Sequence, residues 1–339
     1  MQSQTPSHAS GPRAALGLSV LPGGQSPTPV SVDSVLSSLL SEGATALHLP
    51  APGLPGLVET LQKLVMEPRT EVKVCAIDAE LGAHTLDRPQ AALAQLAALD
   101  KEESRTATHV AKTALAVATS LSCPFVRVRL GEVAGLSRLW QNVRAHFLRG
   151  AAFEDSEPGD ELLQARSALL PRHLDAVRRA LESLANLAVH SQKTLLIAYP
   201  RRVTELPLPL ELRLLLEEFD GAPLRPCLDL PAAHLSSMMR LVSLADSVRS
   251  FAKGPLHCVG DACGPIGALP PGSGEVEVAA VCRTLPKDAT LSFMPWPGLS
   301  FREALAGFRS LASLHPAALH DAESGPSSPV PSSVAGQAT

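Results

Sequence analysis

Residues 100–130 read DKEESRTATHVAKTALAVATSLSCPFVRVRL. From Val110 to Leu121 the apolar side chains recur at helical spacing; past Cys123 and Pro124 the pattern changes to a short β-like run, Phe125–Leu130. The same alternation of β-like run and amphipathic segment recurs along the chain. The other runs are Ala15–Leu21, Ala44–Leu49, Glu71–Ile77, Thr194–Tyr199, Arg225–Leu230, Pro255–Val259 and Thr290–Met294. Helical candidates begin near Val32, Gly56, Ala91 with Ser104, Gly159, Pro209, Ser236, Val276 and Phe301. Ser300 ahead of Phe301, with Glu303 in the first turn, reads as an N-terminal cap.

Strands that alternate with helices pair in parallel, because a parallel connection needs a long crossover. Eight such units in a chain of 339 residues fit a closed (β/α)8 TIM barrel of the α/β class better than an open doubly wound sheet. The open sheet's usual Gly-x-Gly-x-x-Gly phosphate turn is also missing. The barrel is expected over residues 14–318. Residues 1–13 and 319–339, rich in Ser, Pro, Gly and Gln, have too little to bury and read as disordered tails. Residues 132–161 read as an enlarged loop after the fourth strand, carrying Trp140 and an acidic stretch.

Composition narrows the function. A net charge of -4 with one Tyr and two Trp lacks the basic stripes and stacking rings of a nucleic-acid surface. No apolar run approaches the roughly 20 residues of a membrane-crossing helix, and no secretory leader is evident, so a soluble, cytoplasmic protein is expected. The six cysteines are scattered without Cys-x-x-Cys spacing and read as free thiols. There is no Gly-x-Ser-x-Gly, His-Glu-x-x-His or phosphate-loop motif.

The order of the segments resembles the xylose isomerase-like TIM barrels, the sugar phosphate isomerase and epimerase superfamily, over roughly residues 15–314. The resemblance is carried by THVAKTALAVATSLSCPFVRVRLGE for the third helix and fourth strand, LAVHSQKTLLIAYP for the fifth strand and LRPCLDLPAAH for the sixth. It continues in LHCVGDACG with the Gly-rich turn Gly272–Glu275 for the seventh, and in ATLSFMPWPG with FREALAGFRSL for the eighth. It implies a divalent metal (Mn, Mg, Co or Zn) held at the C-terminal mouth by Glu, Asp, His and Glu from the fifth to eighth strands, polarising a sugar while a base moves a proton. Carried over residue by residue, the ligand set thins. The fifth-strand Glu falls at Ala198, the eighth-strand Glu at Met294, and a second-strand Glu at His48; Asp229 keeps the sixth-strand carboxylate. On the seventh strand the ligand His falls at Cys258, or, with a one-residue slip, at His257.

Two readings follow. In one, the metal centre is degenerate, no cofactor is needed, and a pseudo-enzyme binds a small ligand or a protein partner at the mouth. In the other, a working isomerase has a rebuilt site, with Asp229, His257 and Glu132 as catalytic groups and Asp229 and His257 as metal ligands. His48, Arg127, Arg129, Tyr199, Arg201 and Trp296 are the candidate ligand-binding residues. Arg127 and Arg129 are two apart and so share a strand face. They form either an anion clamp or a structural ion pair with Asp229 or Glu132.

Overall fold

The computed structural model describes residues 14–17, 46–49, 62, 73–79, 95–149, 157–263, 266–295 and 299–315. Eight parallel strands form one sheet: β1 (Ala14–Gly17), β2 (Ala46–Leu49), β3 (Lys73–Ala79), β4 (Phe125–Val128), β5 (Thr194–Ala198), β6 (Leu224–Cys227), β7 (Leu256–Cys258) and β8 (Thr290–Phe293). Their spatial order is β6-β5-β4-β3-β2-β1-β8-β7. A parallel bridge between Asp229 and Cys258, with the Cys258 N–H donating to the Leu228 carbonyl at 2.8 Å, joins the two outer strands and closes the barrel.

Each of the eight apolar runs overlaps one of these strands. Helix α1 (Lys101–Ser120) starts at Asp100, whose carboxylate accepts from the N–H groups of Glu102 and Glu103. It buries the stripe Ala107, Val110, Ala111, Ala114, Leu115 and Ala118, and Ser122 in the left-handed region (φ 53°) turns the chain into β4. The span 132–161 is more ordered than the expected loop: it contains helix α2 (Ser137–Leu148). Leu136, Trp140 and Val143, at i, i+4 and i+7, form an inward face on which Leu136 and Val143 are buried and Trp140 packs partly buried. Helix α3 (Glu157–Ser191) then runs for 35 residues with Pro171 inside it.

The helices α4 (Pro209–Glu218), α5 (Leu230–Met238), α6 (Leu244–Phe251), α7 (Val278–Cys282) and α8 (Phe301–Ser313) complete the described outer layer. The single helix expected from Ser236 is two, α5 and α6, separated by a turn in which Arg240 takes a positive φ of 52°. Two short antiparallel ribbons follow strand ends: Gly131–Glu132 pairs with Glu205–Leu206, and Asp261–Cys263 with Ile266–Leu269. Among the described residues, no helix is long and apolar enough to cross a membrane. The expected tails, the helix starts near Val32 and Gly56, and Trp296 lie outside the described residues.

The main core lies between sheet and helices. A smaller apolar cluster, Ala46, Cys75, Ala76, Leu196, Cys227, Leu256 and Cys258, fills the barrel, with Phe125 and Met294 packed against it.

Candidate functional site

The inner cluster fixes what stands above it. Side chains on one strand face recur every two residues, so stepping two positions onward from Ala46, Ala76, Phe125, Leu196, Cys227 and Leu256 gives His48, Asp78, Arg127, Ala198, Asp229 and Cys258. Above a plug of apolar residues, the strands thus carry a polar layer toward their C-terminal ends, where barrel sites are built.

Asp78 and Arg127 are register partners on neighbouring strands. The guanidinium grips the carboxylate with two bonds, Nε to Oδ1 at 2.6 Å and Nη2 to Oδ2 at 2.7 Å. Its third nitrogen, Nη1, donates to Cys258 Sγ at 2.7 Å. His48 Nε2 lies 2.8 Å from Asp78 Oδ1, and its Nδ1 2.8 Å from Ser292 Oγ. A carboxylate only accepts, so Nε2 donates to Asp78; in the neutral ring Nδ1 is then left to accept from the Ser292 hydroxyl. His48, Asp78, Arg127 and Ser292 are all buried. Burial alone would raise the Asp78 pKa, but the Arg127 charge, with the hydrogen bonds from His48 and Arg127, outweighs it and holds the carboxyl well below its ordinary value. Burial likewise opposes the charge on Arg127, and Asp78 more than compensates. The Cys258 thiol is pushed up, first by its contact with Cys227 and then by burial, against the pull of Arg127.

Nearer the solvent, Asp229 caps α5 by accepting from the Ala232 N–H at 3.3 Å. Its Oδ2 is 3.7 Å from Arg129 Nη2 and 3.9 Å from Arg127 Nη1. Arg129 also donates to the Tyr199 carbonyl at 3.3 Å and lies 3.5 Å from Glu205, whose carboxylate accepts from the Arg201 N–H at 2.9 Å. Two arginines therefore meet three carboxylates, Asp78, Asp229 and Glu205. The ion-pair reading of Arg127 and Arg129 describes this geometry; the principal partner of Arg127 is Asp78 rather than Asp229 or Glu132.

The remaining candidates stand apart. His257 follows strand alternation onto the face opposite Cys258. There its Nδ1 accepts from the Leu228 N–H at 3.3 Å and its ring lies against Gly254. Burial lowers its pKa to about 4. Glu132 sits on the ribbon opposite Glu205 and acts electrostatically on Glu103, whose pKa is raised by burial, Asp100 and Glu132 in that order. The structure does not gather Asp229, His257 and Glu132 into one centre. Tyr199 is buried against the helix layer, its hydroxyl 2.9 Å from Ser247 Oγ and its ring edge-on to Phe251. Arg201 is half-buried beside Glu205. Asp261, just past the seventh strand, is buried under the Gly-rich turn. It accepts from the N–H groups of Ala262, Gly272, Gly274 and Val276 at 2.8–3.0 Å.

Sequence reasoning passed over Ser292 and Glu205 and did not pair Asp78 with Arg127. The spacing of Asp78 and Arg127 after their apolar neighbours was the available signal.

The donor set can be weighed against the metal that the resemblance implies. Ala198 offers no donor, Met294 a weak thioether and Cys258 a thiol already facing a guanidinium; Asp229 is committed to a helix cap and two arginines. Among the described residues, no three His, Cys, Asp or Glu side chains are grouped to hold a metal ion. These residues do not fit a hard dication, which needs several oxygen ligands free to converge.

No family model matches the chain, and no curated protein matches it. Solved structures do. A D-tagatose 3-epimerase-like protein superposes with TM-score 0.63 at 16% identity, covering 91% of this chain and 99% of its own. An L-ribulose 3-epimerase gives 0.62 at 12% identity, covering 94% and 99%. A putative xylose isomerase from Rhodospirillum rubrum gives 0.58 at 14%, covering 90% and 99%. At these identities the likeness is one of architecture. The chain has the xylose isomerase-like TIM-barrel fold of the sugar epimerases and isomerases.

Proposed function

We propose that this chain is a small-ligand-binding pseudo-enzyme: it keeps a sugar-epimerase barrel and has given up metal-dependent proton transfer. The observation that carries the reading is Arg127, whose three guanidinium nitrogens engage Asp78 and Cys258 in the polar layer of the barrel. A buried charge must be balanced, and here the balancing cation is part of the chain. Proton abstraction next to a sugar carbonyl needs an electrophile and a nearby base. Ala198 and Met294 supply neither, and His257 faces away from the barrel axis.

The mouth remains suited to binding. Burial falls from the Asp78–Arg127 pair, at 3% and 2% side-chain exposure, to Arg129, Glu205 and Asp229 at 12%, 14% and 16%. That outer trio presents one donor fork between two acceptors, a pattern that a neutral polyhydroxylated ligand can match; a strongly anionic one would meet two carboxylates. Sugars are named for the neighbours whose barrel this chain shares, and they set the first ligand panel.

The test is a ketose panel incubated in D2O with and without Mn or Co. The proposal expects no deuterium at the carbons flanking the carbonyl, while one or more panel members raise the melting temperature without metal. Metal-dependent deuterium incorporation contradicts it.

A further inference from the structure

At the end of the barrel opposite the polar mouth, the last residues of α6 and those following α7 enclose a groove of about 400 Å3, within the usual range of small-molecule clefts. Its place follows from the chain. Lys253 precedes β7 and Pro286 precedes β8, and the Thr290 N–H, donating to the Pro255 carbonyl at 2.8 Å, ties the two strand starts together. The floor is Val248, Ala252, Leu285 and Pro286. Ala252 and Leu285 are buried members of the main core, so the groove opens onto the apolar skin of that core. The rim carries two exposed cations, Arg249 in the last turn of α6 and Lys253 just past its end. Arg249 meets Asp246 at 2.8 Å, but both side chains are more than half exposed, and such pairs hold their partners weakly.

We propose that this groove is a second ligand site, for a small amphipathic anion: an apolar body with one carboxylate or sulfonate head. The body covers the floor and the head reaches the two cations. Basic residues near a helix C-terminus answer the macrodipole, but the macrodipole does not call for an apolar hollow beside them. A neutral sugar lays polar groups on the floor, where they lose hydrogen bonds to water, and a plain hydrocarbon leaves both cations unused. An anionic head on an apolar body matches floor and rim together, and a charge-assisted hydrogen bond is stronger than a neutral one. The site lies apart from the mouth, and its test is independent of the functional reading given above.

The experiment titrates anilinonaphthalene sulfonate, an apolar body with a single sulfonate, into the full chain and follows its fluorescence. The proposal expects one saturable site per chain with a dissociation constant on the order of 10–100 μM. Arg249→Gln combined with Lys253→Gln weakens it about 5-fold or more, as does replacing the probe by phenylnaphthylamine, the same body without the sulfonate. Thr284→Trp, at an exposed rim position, blocks the groove and abolishes binding of either probe. Lys101→Gln with Lys112→Gln, exposed cations of α1, changes nothing. Absence of saturable binding by wild type overturns the proposal, and so does binding that survives Thr284→Trp in a chain that still melts cooperatively. Equal affinity for the charged and uncharged probes overturns the anionic class.

Discussion

Replacing Asp78 by Leu removes the partner that neutralises Arg127 while leaving the guanidinium between β3, β7 and the end of β6. Both side chains are at most 3% exposed, so water does not take Asp78's place. Asp229, at 3.9 Å from Nη1, is beyond hydrogen-bond reach and compensates poorly. Removing one partner of a buried ion pair costs about 3–5 kcal/mol, a large share of a total stability of about 5–15 kcal/mol. At about 2–4 °C per kcal/mol the melting temperature falls by roughly 10 °C. The informative comparison is Asp78→Leu combined with Arg127→Met, which removes both charges. It is expected to recover most of the loss, because a buried pair exchanged for apolar residues is often close to neutral.

Urea unfolding of the wild type, both single variants and the double measures this as a coupling energy. The pH dependence has a definite sign. Asp78 is held below its ordinary value, so its contribution is complete above the unfolded carboxyl pKa of about 3.9 and is lost as pH falls through the lower folded value. The gap between wild type and Asp78→Leu is therefore flat from neutral pH to about pH 5 and closes only below about pH 4. A single-variant loss under about 1 kcal/mol, or a double variant as unstable as the singles, refutes the reasoning.

Three further outcomes are expected. His257 has a folded pKa of about 4, below the unfolded value near 6.5, so its contribution is full above pH 6.5 and drains away by about 3 kcal/mol as pH falls to 4; His257→Asn should flatten that part of the urea-measured stability profile, and an unchanged slope contradicts this. Gly274 holds the Gly-rich turn against Asp261, where a Cβ would stand 2.2 Å from the Ala262 carbonyl oxygen, so Gly274→Ala should cost about 1–3 kcal/mol, and an unchanged melting temperature would show that the turn yields freely. Arg166 and Glu211 form a buried ion pair joining α3 to α4, and Glu211→Ala should cost about 3–5 kcal/mol in urea unfolding, with a loss below about 1 kcal/mol speaking against that role.

The barrel was legible because each strand is a short apolar run bounded by turn residues, and length separates such runs from helices. Helix α2 was not, because Gly135 and the polar residues between Leu136, Trp140 and Val143 hide an inward face that only packing reveals. The boundary between α5 and α6 escaped because it rests on Arg240 adopting a positive φ, which no composition signal marks. Within the site, chemistry was easier to read than pairing. The losses at Ala198 and Met294 are visible as residue types. The partnership of Asp78 with Arg127 depends on the stagger between β3 and β4, set by sheet geometry. The slip between His257 and Cys258 is of the same kind: one residue decides which side chain meets Arg127 and which turns to the helices.

The most direct test of the account is calorimetric titration of the chelator-treated wild-type chain with Mn2+ and Co2+, with elemental analysis of the protein as purified. A polar layer closed by its own arginine predicts no stoichiometric metal and no saturable heat. Stoichiometric metal that is lost on Asp229→Ala would contradict the account and place a working metal centre at the mouth.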